Sequence, residues 1–171
     1  MSGLEFLSPG LARADSDFAP VERSPLERAL GEAARWESAR GIRDLSSTGK
    51  LEVGGGVDGI GLEDAAVVRI TPDRALLLCP PEDVGRHIEQ LRARERSVVD
   101  VTSALAGMEV TGERLLRRLT DLDLDALPAT GMVARVPATL FRHEAGFRFF
   151  FPQEYADYVA DVVLDALAGL A

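Results

Sequence analysis

The sequence predicts an α+β fold, mostly antiparallel sheet, made of two related strand–hairpin–helix halves. Three observations carry this. The run Asp44-Leu45-Ser46-Ser47-Thr48-Gly49-Lys50-Leu51-Glu52-Val53-Gly54 shares its grammar with the stretch from Asp100 to Gly112, with one extra residue before the Glu-Val of the later copy and one after it. Each has an acid, an aliphatic residue and two hydroxyls, then a glycine, an apolar residue, Glu, Val and a closing glycine. A second echo lies downstream: Leu76-Leu77-Leu78-Cys79-Pro80-Pro81-Glu82 returns as Phe149-Phe150-Phe151-Pro152-Gln153-Glu154. In both places an apolar strand stops at Pro-x-Glu and a helix follows. Lastly, strands and helices interleave, but hairpins dominate the connections, which favours antiparallel sheet. Two copies make related halves of one domain, not a solenoid.

At 171 residues, 46% of them apolar, the chain is long enough for one domain with a substantial core. Residues 1–22 form a flexible or docking arm rich in Gly, Pro, Ser and Asp; Leu4, Phe6, Leu7 and Leu11, which a free tail would waste, are the argument for docking. Residues 23–171 form the α+β domain, with halves at about 42–95 and 97–170.

Ser24-Pro25-Leu26-Glu27 opens a helix: Ser24 caps free N–H groups, Pro25 suits the first turn and Glu27 completes a capping box. Leu26, Leu30, Ala33 and Trp36 make its apolar stripe, and Gly41 ends it. Trp36, the only tryptophan, is a core or interface anchor. The glycine-rich run Gly54–Gly61 leads into a strand rather than a helix, so it is a turn and not a phosphate cradle.

Val67–Ile70 and Ala75–Cys79 flank the turn cluster Thr71-Pro72-Asp73-Arg74 as a hairpin. A helix from Glu82 to about Arg94 turns Val84, Ile88 and Leu91 inward. The stretch Ser97–Gly112 reads as strand, short turn and strand, feeding a helix to about Thr120 that buries Leu115, Leu116 and Leu119. Met132–His143 and Phe147–Phe151 form the last hairpin, turning at Glu144-Ala145-Gly146. The closing helix, Gln153 to Leu170, has Tyr155, Val159, Val162, Val163, Ala166 and Leu170 as its buried stripe. Asp157, Asp161 and Asp165 form its wet face.

The formal net charge of -9 disfavours nucleic acid and anionic membranes as partners. No run of about 18 apolar residues is present to span a membrane. No stretch reads as a signal peptide, so a cytoplasmic protein is expected. Cys79, the only cysteine, sits in an apolar run as a buried, inert thiol. His87 and His143 lie in different halves without metal-ligand spacing. Asp121-Leu122-Asp123-Leu124-Asp125 lacks the central glycine and closing Glu of a calcium loop, so no metal is expected. The arginines at 114, 117 and 118 and the Arg92–Arg96 run read as solvated faces.

The motifs also carry a resemblance. Asp44-Leu45-Ser46-Ser47-Thr48-Gly49-Lys50-Leu51-Glu52-Val53 resembles the strand that opens the folate-binding domain of the glycine-cleavage aminomethyltransferases. Ser24-Pro25-Leu26, Thr71-Pro72-Asp73-Arg74-Ala75-Leu76-Leu77, Val98-Val99-Asp100-Val101-Thr102, Leu122-Asp123-Leu124 and Gly131-Met132-Val133-Ala134-Arg135 are similar to the gamma subunit of heterotetrameric sarcosine oxidase. The likeness spans about residues 24–170 through short motifs. It implies a non-catalytic gamma-like subunit of a complex that oxidises sarcosine, partnered by a larger subunit that carries flavin and NAD. No cofactor is then expected in this chain.

The departures fall where the transferases build their folate site. The passage between Val53 and Val67 is short and glycine-rich, and its acids, Asp58, Glu63 and Asp64, sit in no matching motif. Glu144 falls nearest the family's folate-contacting Glu, but Arg142-His143-Glu144-Ala145-Gly146 lacks the Thr-Gly that precedes it there. The alternative is a stand-alone tetrahydrofolate- or pterin-binding protein, which implies a concave pocket between the halves with an acid facing it. The subunit reading implies an exposed apolar patch, with Trp36, Phe6 and Leu7 as interface candidates. A homodimer of unassigned role is a third reading.

Overall fold

The computed structural model describes residues 23–33, 41–144 and 146–170. The interface candidates Trp36, Phe6 and Leu7 lie outside the described residues. In chain order the elements are α1 (Glu27–Ala33), β1 (Ile42–Asp44), β2 (Gly49–Gly54), β3 (Ala66–Thr71), β4 (Arg74–Cys79), α2 (Val84–Ala93) and β5 (Ser97–Asp100). Then come β6 (Leu105–Thr111), α3 (Glu113–Leu119), β7 (Ala129–Val133), β8 (Val136–His143), β9 (Gly146–Pro152) and α4 (Ala156–Ala168). A short 3₁₀ turn precedes each of α2 and α4, at Pro81–Asp83 and Gln153–Tyr155. The fold is α+β, as the sequence predicts.

The strands form two antiparallel sheets. One has the order β1-β6-β9-β8-β7 and the other β3-β4-β2-β5. Side chains alternate across each strand, and this sorts the core into layers. On one face of the five-stranded sheet Met108, Val110, Leu140, Phe147, Phe149 and Phe151 pack against Leu26 and against Leu116 of α3 and Val159 and Val163 of α4. On one face of the four-stranded sheet Leu51, Val53, Ala75 and Leu77 pack against Leu91, Val84 and Ile88 of α2. Between the sheets Val68, Leu76 and Leu78 meet Phe141 and Phe150, whose rings stack 6.1 Å apart. The layers therefore run helix, sheet, sheet, helix.

The repeat in the sequence is real in three dimensions, with one feature that the halves at 42–95 and 97–170 do not anticipate. Each half gives its opening strand to the other half's sheet. β1 pairs with β6, setting Asp44 opposite Met108. β5 pairs with β2, setting Asp100 opposite Leu51. Read from its shared end, β8-β9-β6-β1 in one sheet repeats β3-β4-β2-β5 in the other. Strand β7 is the addition in the later half.

Two details depart from the sequence reading. Met132–His143 is not one strand. It breaks at Ala134 and Arg135, both left-handed (φ 51° and 64°), which make a two-residue turn between β7 and β8. That turn favours Asn and Gly, and neither is there to announce it. Tyr155 is exposed, not buried, because it falls in the 3₁₀ turn and out of phase with α4, whose buried residues are Ala156, Val159, Ala160 and Val163. The glycine-rich passage is also more than a spacer: Val57 and Ile60 insert into the core beneath α2.

Candidate functional site at the crossing of the two halves

Because the opening strands are exchanged, residues 45–48 and 101–104 cross between the two sheets. The hydrogen bonds there come in matched pairs. The Leu45 N–H donates to Gly107 O at 2.8 Å, and the Val101 N–H donates to Lys50 O at 2.9 Å. The Gly107 N–H donates to Ser46 Oγ at 3.2 Å, and the Lys50 N–H donates to Thr102 Oγ1 at 3.0 Å. Each opening acid folds back on its own segment: Asp44 Oδ1 accepts from the Ser46 N–H at 2.8 Å and Asp100 Oδ1 from the Thr102 N–H at 2.9 Å. The two hydroxyl-bearing positions of the repeat thus tie the strands to each other, which is what the acid–aliphatic–hydroxyl pattern encodes.

Lys50 and Gly107 hold equivalent places in this arrangement. Lys50 is fully buried. Its Nζ donates to Ser46 O at 2.7 Å and Thr48 O at 2.8 Å and lies 5.8 Å from the centre of the Phe150 ring. Burial pushes the Lys50 ammonium down from 10.5 to about 8, against the pull of Asp44 and Asp100. Gly107 has to be small, since a Cβ there would stand 2.4 Å from Phe150 Cε1 and 3.1 Å from Leu45 O. The sequence reading missed Lys50 as a structural centre. The available signal was that the one lysine of the chain falls inside a strand, in register with a glycine of the second copy.

Two grooves flank the crossing. The first, about 610 Å³, is lined by Arg23, Ser24, Ser46, Ser47, Pro81, Val84, Asp100, Thr102, Ser103 and Gln153, among others. The second, about 580 Å³, runs past Ser47, Thr48, Asp64, Ala66, Cys79 and Arg148. Arg148 is held by Glu109, whose Oε2 accepts from Arg148 Nε at 2.6 Å and from an Arg43 amino group at 2.8 Å. Burial pushes the Glu109 carboxyl up, but the hydrogen bonds from Arg148 and Arg43 outweigh it and hold the group below the usual carboxylate range. Burial pushes the Cys79 thiol up, away from the reactive thiolate.

Glu144 is not brought to either groove. It sits at the β8–β9 turn with φ 47°, its side chain 85% exposed and 3.7 Å from His143 Nε2. His87 is fully buried on α2, and neither ring nitrogen has a hydrogen-bond partner among the described residues. Among the described residues no group of His, Cys, Asp and Glu is arranged to hold a metal ion, and no helix is long and apolar enough to cross a membrane.

No protein-family model matches the chain, and no curated protein matches it. Solved structures do. The chain is similar to a chain of the heterotetrameric sarcosine oxidase from Corynebacterium sp. U-96, in complex with pyrrole 2-carboxylate, with a TM-score of 0.69 and 20% identity over 88% of this chain and 96% of that one. It is also similar to the aspartate kinase from Synechocystis, with a TM-score of 0.50 and 13% identity over 89% of this chain but 29% of that one. At these identities the likeness is one of fold: the chain has a sarcosine oxidase subunit-like fold.

Proposed function

We propose that this chain is the non-catalytic, gamma-like subunit of a sarcosine oxidase-type complex, in which a larger flavin- and NAD-containing subunit oxidises a secondary amine. The observation that carries this reading is the near-complete, two-way overlap with one chain of the Corynebacterium heterotetramer, 88% of this chain against 96% of that one. Such shares match a small chain from end to end, not a domain inside a large catalytic one. The chemistry of the described residues supports the same reading. Lys50 is spent on two carbonyls, Cys79 is buried with its thiol pushed up, and Glu109 is bridged by two arginines.

The second reading, a stand-alone tetrahydrofolate-binding protein, has less support. The groove beside the crossing does face an acid, Asp100, but among the described residues neither groove is lined by an aromatic ring for a pterin to stack on or by Glu144. The test is affinity purification of the tagged full chain from its own cells, with flavin absorbance and sarcosine-dependent hydrogen peroxide read on the eluate, beside calorimetry of the isolated chain with tetrahydrofolate. Co-purified flavin with sarcosine-dependent peroxide is the expected result. An eluate without flavin, together with micromolar tetrahydrofolate binding by the isolated chain, would overturn the subunit reading.

A further inference from the structure

The matched bonds at the crossing leave one group unmatched. Asp44 and Asp100 are equivalents, and the Oδ1 of each accepts from the N–H two residues on. Asp44 Oδ2 is also satisfied, because the Ser24 hydroxyl ahead of α1 donates to it. Among the described residues none does for Asp100 what Ser24 does for Asp44. Asp100 Oδ2 has no donor among the described residues and belongs to the wall of the 610 Å³ groove.

The rest of that wall fits a ligand with both charges. Arg23 makes no hydrogen bond or ion pair among the described residues and is a lining residue of the same groove, as are Ser47, Ser103 and Gln153, whose side chains are equally unengaged among those residues. By contrast, the hydroxyls of Ser46 and Thr102 each accept a strand N–H, from Gly107 and Lys50, so the strands fix their place in the groove wall. A groove of this size lies within the usual range for small-molecule sites, in which a few placed polar groups set orientation. It presents one guanidinium, one carboxylate with a free oxygen, two hydroxyls and an amide, with Val84, Leu105 and Pro81 as the apolar part. Guanidinium pairs with carboxylate through two parallel N–H bonds, and a carboxylate oxygen accepts from an ammonium.

We propose that this groove binds a small zwitterionic amino acid, its ammonium at Asp100 and its carboxylate at Arg23, with Ser47, Ser103 and Gln153 as further hydrogen-bond partners. The proposal stands apart from the subunit assignment, since it rests on the groove alone.

The test is a heteronuclear NMR titration of the full chain with glycine, and with acetate and methylamine as single-charge probes. Glycine produces saturable shifts at the amides of Ser47, Thr102 and Ser103 in the millimolar range, and each single-charge probe binds more weakly. Asp100→Asn keeps an oxygen for the Thr102 N–H and weakens glycine binding about tenfold or more, the loss expected for a charged hydrogen bond. Arg23→Gln, at an exposed position, does the same while the spectrum stays folded. No saturable shift, acetate binding as tightly as glycine, or both variants binding like the wild type would each overturn the proposal.

Discussion

Lys50 in β2 and Gly107 in β6 stand at equivalent places in the two halves, yet one is a fully buried cation and the other has no side chain at all. The difference follows from where they sit. At a crossing between related halves, two identical large side chains would compete for one volume. Here the first half fills that volume with Lys50, and the second leaves it open so that Phe150 can lie across Gly107. Away from the crossing the halves keep like for like. Leu77 corresponds to Phe149 and Leu51 to Met108, all fully buried. The register that sets Pro80 on Pro152 also sets Leu91 on Val163 and His87 on Val159. His87 is the exception in that series, a ring whose two nitrogens have no partner among the described residues, where the second half has an aliphatic.

The largest effect is expected at Lys50. Lys50→Ala empties a buried site and strands two carbonyls, so it is expected to lower unfolding free energy by about 3 kcal/mol in urea melts. Lys50→Met restores most of the volume and is expected to recover more than half of that loss. On the other side, Gly107→Ala drives a methyl into Phe150 and is expected to cost about 2 kcal/mol. Pairing it with Phe150→Leu makes room for the methyl, so the double variant should lose less than the sum of the two singles.

A pH series sharpens the same contrast. The folded protein releases the Lys50 proton at about 8, while an exposed lysine in the unfolded chain keeps it to 10.5. Between these values the unfolded chain binds more protons, so stability contributed by this site rises as pH rises through the window. The difference between wild type and Lys50→Met should therefore change across that range and be flat below it. The smallest effect belongs to His87. His87→Leu gives α2 the aliphatic surface that α4 already has and removes two unpaired polar atoms, and it is expected to stabilise by about 1 kcal/mol in thermal or urea melts.

The elements were legible in the sequence because their signals are local. The Pro-x-Glu stops, the Ser24 start and the aspartate face of α4 each lie within a few residues of the structure they specify. Ser24 Oγ accepts from the Leu26 N–H at 3.1 Å, as its position before Pro25 suggests. The strand exchange was not legible, since β1 and β5 read the same whichever sheet they join. Nor was the turn at Ala134 and Arg135, where tertiary pairing of β7 with β8 imposes left-handed backbone on residues that do not favour it. The groove was half legible. Its hydroxyls and Asp100 belong to the repeat, but Arg23, Pro81 and Gln153 reach it from three other parts of the chain. Glu144, chosen on resemblance, lies at a turn that the sequence placed correctly and away from both grooves.

The exchanged opening strands lock the two sheets into one cooperative unit. Native-state hydrogen exchange, read by NMR at the amides of β2 and β6 across low denaturant concentrations, tests it most directly. The expected result is that both strands open only with the whole molecule and share one free energy, equal to that of global unfolding. Exchange of β2 through a partial opening that leaves β6 protected would contradict it.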